Sequence, residues 1–194
     1  MTDWFRAVRW EGEPAEPRAD DDQLAKRALN DPEALAQLYR RHVDRVYRYL
    51  LYRVGNVHDA QDLTSETFTE VVRGLKRYRG NGGFAAWVIK IARYNANDHF
   101  RRQRPQVSLE SVVTLDSESA SPDERLDQQL TLEPVFKALL QINPDRAEAI
   151  RLRMFGELST AEVGALMGRN EAAVRMLIHR GIADLKQLLK EDSP

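Results

Sequence analysis

The 194-residue chain contains no cysteine. Disulfides, thiolate metal sites and cysteine nucleophiles are therefore excluded. It has no apolar run approaching the roughly 18 residues that a membrane-crossing helix needs. Residues 1–22, MTDWFRAVRWEGEPAEPRADDD, are acidic and lack the apolar centre of a secretion signal. A cytoplasmic protein with no direct membrane insertion is the expectation. There is no Ser/His/Asp spacing of note and no Glu-x-x-His pair, so neither catalysis nor a metal or cofactor is expected. Strand-like alternation and Rossmann spacing are missing too, and RGNGG (Arg79 to Gly83) is too little for a phosphate loop. With 42% hydrophobic and 30% charged residues, the composition is that of a globular protein of one ordinary or two small domains.

Net charge is also nearly absent, at −1, but its distribution is uneven. Residues 1–33 carry 5 Lys and Arg against 9 Asp and Glu, and residues 34–104 carry 14 against 6. Residues 105–133 carry 1 against 7, and residues 134–194 carry 9 against 8. A basic block of this kind between acidic flanks points to a polyanionic partner.

The pattern predicts an all-α chain of two small helical domains joined by a flexible acidic linker. Residues 1–20, rich in Pro, Glu and Asp, read as a disordered extension in which Trp4, Phe5 and Trp10 stand out. These aromatics dock either on a partner or on the body of the protein. Residues 21–104 form the first domain. A short helix, Asp21 to Leu29, precedes a long one from Pro32 to Val54, with Asp31 as its N-cap. Leu35, Leu38, Tyr39, Val43, Val46, Tyr47, Leu50 and Leu51 make the apolar stripe of the long helix. Gly55 and Asn56 end it. Val57 to Tyr78 follows, with Ala60, Leu63, Thr67, Phe68, Val71 and Leu75 inward.

The helix from Gly83 to Arg104 has two faces. Phe84, Trp87, Val88, Ile91 and Ala92 share one at spacings of three and four, and the other carries Lys90, Arg93, Tyr94, Asn97 and Arg101. Cations, an amide and an aromatic ring suit phosphate contact and stacking on unpaired bases. The plainer reading is a surface helix whose cations complement its dipole.

Residues 105–130 are Ser- and acid-rich with no sustained period, as a linker should be, although VVTL at the centre reads as a short extended segment. Residues 131–190 form the second domain. Helices are expected from Leu132 to Ile142 and from Pro144 to Phe155, separated by Asn143-Pro144. Ser159 and Glu162 form a capping box, Gly168 supplies a tight turn and Asn170 caps the last helix. Its inward residues are Val174, Leu177, Ile178, Leu185 and Leu188. A short helix, a Gly turn and a longer helix make a helix-turn-helix, or else a plain helical hairpin.

In this order, DAQDLTSETF (Asp59 to Phe68), FAAWVIKIARYNANDHFRR (Phe84 to Arg102) and the final helix-turn-helix with His179-Arg180 resemble a bacterial RNA polymerase sigma factor of the extracytoplasmic-function (ECF) class. The resemblance covers about Asp31 to Leu189. It implies a non-catalytic subunit that binds core RNA polymerase and recognises and melts promoter DNA. Asp59, Gln61, Asp62, Thr64 and Glu66 would dock on the polymerase. Carboxylates so spaced can meet cations on a partner helix, but they equally favour the start of their own helix. Arg77, Tyr78, Arg79, Asn81, Lys90, Arg93, Tyr94, Asn97 and Arg101 would hold the minus-ten element open. Trp87 fits the core better than a base platform, and Asp98 reads as structural.

Arg169, Asn170, Glu171, Arg175, His179 and Arg180 would read the minus thirty-five element as duplex. The usual Thr-Val-Lys-Ser-Arg-like residues are replaced here by Ala173-Val174-Arg175-Met176-Leu177, so weaker or altered upstream recognition is implied. An anti-sigma factor is a further implied partner. The competing reading is a one-component helix-turn-helix regulator with an N-terminal sensor bundle. Against it, the basic charge lies on the bundle, where a sensor has no use for it.

Overall fold

The computed structural model describes residues 21–80, 83–103 and 133–191, which are helical with no strand. They fall into two compact units, residues 21–103 and residues 133–191. The N-terminal extension, Asn81, the linker and its VVTL segment lie outside the described residues.

The first unit comprises α1 (Asp21–Arg27), α2 (Pro32–Val54), α3 (Val57–Gly74) and α4 (Phe84–Gln103). Its helix ends are written in local chemistry. Asp31, extended at φ −125°, accepts from the Glu33 N–H, and Pro32 occupies the first turn of α2. Gly55, at φ 85°, closes α2 by donating to the Leu51 carbonyl. Asn56 then caps α3 through the Asp59 N–H. The predicted helix to Tyr78 instead stops at Gly74 and tightens into a 3-10 turn, Leu75–Arg77.

Leu38, Val46, Tyr49 and Leu50 of α2 pack with Ala60, Leu63 and Val71 of α3 and with Phe84, Val88, Ile89 and Ala96 of α4. Fully burying each large apolar side chain contributes about 1.5–3 kcal/mol. Buried hydroxyls are satisfied locally, Thr64 and Thr67 donating at 2.6 Å to the Ala60 and Leu63 carbonyls. The α2 stripe differs from expectation at several points: Tyr49, outside the expected stripe, is fully buried, while Leu35, Val43 and Tyr47 are only half-buried. Tyr39 is 47% exposed, lying edge-on to Phe68 at 4.8 Å, whereas His42 is buried beside Phe84. On α4 the buried face is wider than the expected stripe and takes in Ala86, Ile89, Asn95 and Ala96, while Trp87 and Ile91 are half-buried at its edge.

The second unit holds α5 (residues 133–141), α6 (Pro144–Ile150), α7 (Thr160–Met167) and α8 (Glu171–Glu191). The expected single helix to Phe155 changes to a π-helical turn over Arg151–Phe155. Ser159 and Glu162 form the reciprocal capping box of α7. Gly168 closes α7 at φ 64°, where a side chain would be strained. Asn170 accepts from the Ala173 N–H at 2.8 Å to begin α8. Gly164 makes the hairpin close: a Cβ there would stand 2.6 Å from the Arg169 carbonyl oxygen. Leu139, Ile150, Leu152, Leu158, Val163, Val174 and Leu185 fill the core of this unit.

Candidate nucleic-acid interface

Along α3, the register that buries Ala60, Leu63 and Thr67 turns Gln61, Asp62 and Glu66 outward. Asp62 has a side chain 72% exposed, 3.3 Å from His58 Nδ1. Asp59 is less available. Its carboxylate accepts from Asn56 Nδ2 at 2.6 Å and lies 3.2 Å from His99 Nε2. Thr64 departs from expectation, because it is buried with its hydroxyl bonded to its own helix. The outward edge of α3 is thus Gln61, Asp62 and Glu66.

On α4, Lys90, Tyr94, Asn97 and Arg101 are exposed, Tyr94 to 65%. Arg93 is half-buried and engaged with other protein groups. Arg101 and Arg102 both reach Asp98, so that residue organises cations, as its reading as structural anticipated. Asn97 Oδ1 accepts from Arg53 Nη2 at 2.9 Å. A guanidinium only donates, which fixes the amide orientation and leaves the Asn97 N–H groups as its outward donors. Arg53 also lies over the Phe100 ring at 5.7 Å.

Before α4, Arg77 and Arg79 are exposed. Tyr78 is not. Its ring rests 4.9 Å from Trp87 and 5.4 Å from Phe84, and its hydroxyl donates to Asp22 Oδ1 at 2.5 Å. The expectation that Tyr78 helps to hold the minus-ten element therefore changes, since its ring and hydroxyl are engaged within the protein. Sequence reading also missed a surface cleft of about 490 Å³, lined by Glu70, Arg73, Gly74, Arg77, Trp87 and Ile91. The i, i+3/i+4 spacing of Glu70, Arg73, Gly74 and Arg77 was its available signal.

In the second unit, α8 presents Arg175, Met176, His179 and Arg180 outward. Arg175 Nη1 lies 3.3 Å from Glu171 Oε2, which also accepts from the Thr160 hydroxyl at 3.2 Å. Arg169 pairs with Asp145 at 3.2 Å, and Arg146 with Asp184 at 2.6 Å. Asn170 is committed through its side-chain oxygen to capping α8. A cleft of about 360 Å³ has Arg146, Arg169, Met176 and Arg180 on its walls. Among the described residues no group of His, Asp and Glu is placed to hold a metal, and no helix is long and apolar enough to cross a membrane.

Residues 38–106 match the family described as Sigma-70 region 2, and residues 132–185 match Sigma-70, region 4. The chain is 36% identical over 187 residues to the ECF RNA polymerase sigma factor BldN of Streptomyces coelicolor, covering 91% of this chain and 70% of that one. It is 36% identical over 162 residues to RNA polymerase sigma factor CarQ of Myxococcus xanthus, covering 82% and 91%. Among solved structures, CnrH in complex with the cytosolic domain of CnrY gives a TM-score of 0.68 at 23% identity, over 89% of this chain and 99% of that one. The sigma factor RpoE, in complex with the anti-sigma factor NepR from Bartonella quintana, gives 0.63 at 22% identity, over 81% and 98%. These two likenesses concern the fold.

Proposed function

The chain belongs to the ECF class of RNA polymerase sigma factors, which direct promoter-specific transcription initiation, and from that premise we propose how its residues divide the task. Gln61, Asp62 and Glu66 on α3 dock on cationic side chains of core polymerase, with Asp59 at the inner margin. Lys90, Arg93, Asn97 and Arg101, with Arg77, Arg79 and Asn81 before them, hold the minus-ten element, and Tyr94 stacks on an unpaired base. Unstacking a base costs a few kcal/mol, and each aromatic stack returns about 1–3 kcal/mol. The cations offset the remainder through phosphate contacts.

The start of α8 reads the minus thirty-five element in the major groove through Arg169, Arg175, His179 and Arg180. Asn170 and Glu171 act there as a cap and as an anchor for Arg175. The protein acts in the cytoplasm as a non-catalytic, dissociable subunit, with no cofactor. The relatives do not favour a one-component regulator with a sensor bundle. An anti-sigma factor is a further partner, because the docking edge of α3 and the DNA face of α4 would otherwise engage polymerase and promoters unchecked.

The observation that carries this reading is that one small bundle exposes carboxylates on α3 and cations, an amide and an aromatic ring on α4. Permanganate footprinting tests it. With core polymerase and a cognate promoter, thymines around minus ten should become reactive only when the chain is present. Failure of the chain to join core polymerase would overturn it. Recovery of the chain from cells only alone or with polymerase would remove the anti-sigma partner.

A further inference from the structure

Helix α8 turns Val174 and Leu185 into the core of the second unit, and both are fully buried. At about 100° per residue, Ala172 and Met176 each stand roughly 160° round the helix from Val174, on the side furthest from that core. Both are exposed, Met176 to 49%. Cations flank this apolar row, with Arg175 and His179 on one side and Arg180 on the other. Arg175 is drawn along its own flank by Glu171 at 3.3 Å, and the Thr160 hydroxyl donates to the same carboxylate at 3.2 Å. From Met176 the apolar surface continues toward the core through Ala173 and Leu177, which line with it the cleft of about 360 Å³. The centre of this face therefore carries no strong hydrogen-bonding group, although both of its margins do.

We propose that Met176 is a specificity-determining residue of the upstream reader and packs its thioether on the 5-methyl group of a thymine in the major groove. This rests on the reading of α8 as the minus thirty-five reader. A helix laid in that groove brings its outermost row nearest the base edges, and here that row is Ala172 and Met176. Of the four bases, only thymine shows a methyl group there, while adenine, guanine and cytosine show donors and acceptors. Set against a polar edge, the thioether would strip water from groups it cannot bond, which is unfavourable. Set against the methyl group, it removes two apolar surfaces from water together. Methionine is long and unbranched, so it can adjust to the groove floor, and Ala172 one turn earlier leaves it room. The flanking Arg175, His179 and Arg180 remain free to supply phosphate contacts and hydrogen bonds at the margins.

The test uses the full chain assembled with core polymerase and duplexes randomised around minus thirty-five, from which the bound upstream motif is selected. Each thymine of that motif is then replaced in turn by deoxyuridine, which deletes the methyl group and keeps every hydrogen-bonding atom. At one position the replacement should weaken binding to the wild-type assembly about fourfold, the scale of one buried methyl group. With Met176→Ala the same replacement should cost less than about twofold, because the methyl group has lost its partner. The salt slope should not change, since no charge is altered. No thymine whose replacement costs more than about twofold in wild type would overturn the proposal. So would a deoxyuridine penalty that Met176→Ala leaves intact. If Met176→Ala weakened attachment to core polymerase and not the upstream duplex, the exposed thioether would belong to a protein interface and the proposal would fall. A wild-type assembly that selects no upstream motif would overturn the minus thirty-five reading itself, and this proposal with it.

Discussion

Replacing Asp21 by alanine should destabilise the N-terminal unit far more than its place near the start of a short helix suggests. The Asp21 carboxylate is buried and accepts from His42 Nε2 at 2.9 Å and Arg41 Nη1 at 2.7 Å. Without it, the His42 N–H is left without an acceptor in a site only 2% exposed. Arg41 has a side chain 25% exposed and can turn to water. Allowing for that relief, the loss should be about 3 kcal/mol. For a unit of this size that corresponds to about 12–24 °C in the midpoint of its thermal transition. Asp21→Asn keeps one acceptor and should cost about half as much.

The same site sets a pH dependence. Burial pushes the His42 pKa down, aided by the nearby Arg45 and Arg41 and opposed by Asp21. Its Nδ1 is buried without a partner, so a second proton would create an N–H with no acceptor. The unfolded chain therefore takes up that proton first, near the ordinary value of 6.5, and stability falls as pH drops below it. Burial works to raise the Asp21 pKa, but hydrogen bonds from His42 and Arg41 outweigh it, and the carboxyl stays below its ordinary 3.8. Its contribution is present above that value and is lost as pH falls through the lower, folded one. Calorimetry of the full chain from pH 8 to 4 should show the N-terminal transition weakening from about pH 6.5 downward. Asp21→Ala within about 0.5 kcal/mol of wild type, or stability rising toward pH 5, would refute the reasoning.

Charge reversal of both Asp62 and Glu66 to lysine should weaken binding to core polymerase more than tenfold, measured by fluorescence anisotropy, while leaving the fold intact. Tyr94→Ala should lower affinity for a forked promoter about tenfold with an unchanged salt slope, whereas Lys90→Ala should reduce that slope by about one. Gly164→Ala drives a Cβ against the Arg169 carbonyl oxygen and should cost the C-terminal unit about 1–3 kcal/mol. Binding to an upstream duplex should fall in a gel-shift assay, and attachment to core polymerase should not.

Most helix ends were readable because their signals are short-range. Asp31-Pro32, Gly55-Asn56, the Ser159–Glu162 box and Gly168 each act within four residues of their own position. The inward face of α3 followed from its period for the same reason. Long-range chemistry was not readable. His42 enters the core because Asp21, 21 residues earlier, meets its Nε2. Tyr78 turns inward because Asp22, 56 residues away, takes its hydroxyl. Asn95 reaches the core because its amide donates to Thr67 Oγ1 at 3.4 Å. No periodicity encodes such pairs. Thr64 was placed on the docking edge by its neighbours in the motif, yet its back-bond to Ala60 turns it inward. The π-helical turn at Arg151–Phe155 likewise interrupts a pattern that reads as continuous helix. For the candidate site, spacing along α4 identified which residues face outward, but not that Arg93 is half-buried and engaged with its neighbours.

Transcription by core polymerase on a genomic DNA library, with and without the full chain, tests most directly whether this bundle opens promoters on behalf of the enzyme. Addition of the chain should yield discrete start sites that share one motif around minus ten, and Tyr94→Ala should diminish them. Start sites that do not change when the chain is added to active core enzyme would contradict it.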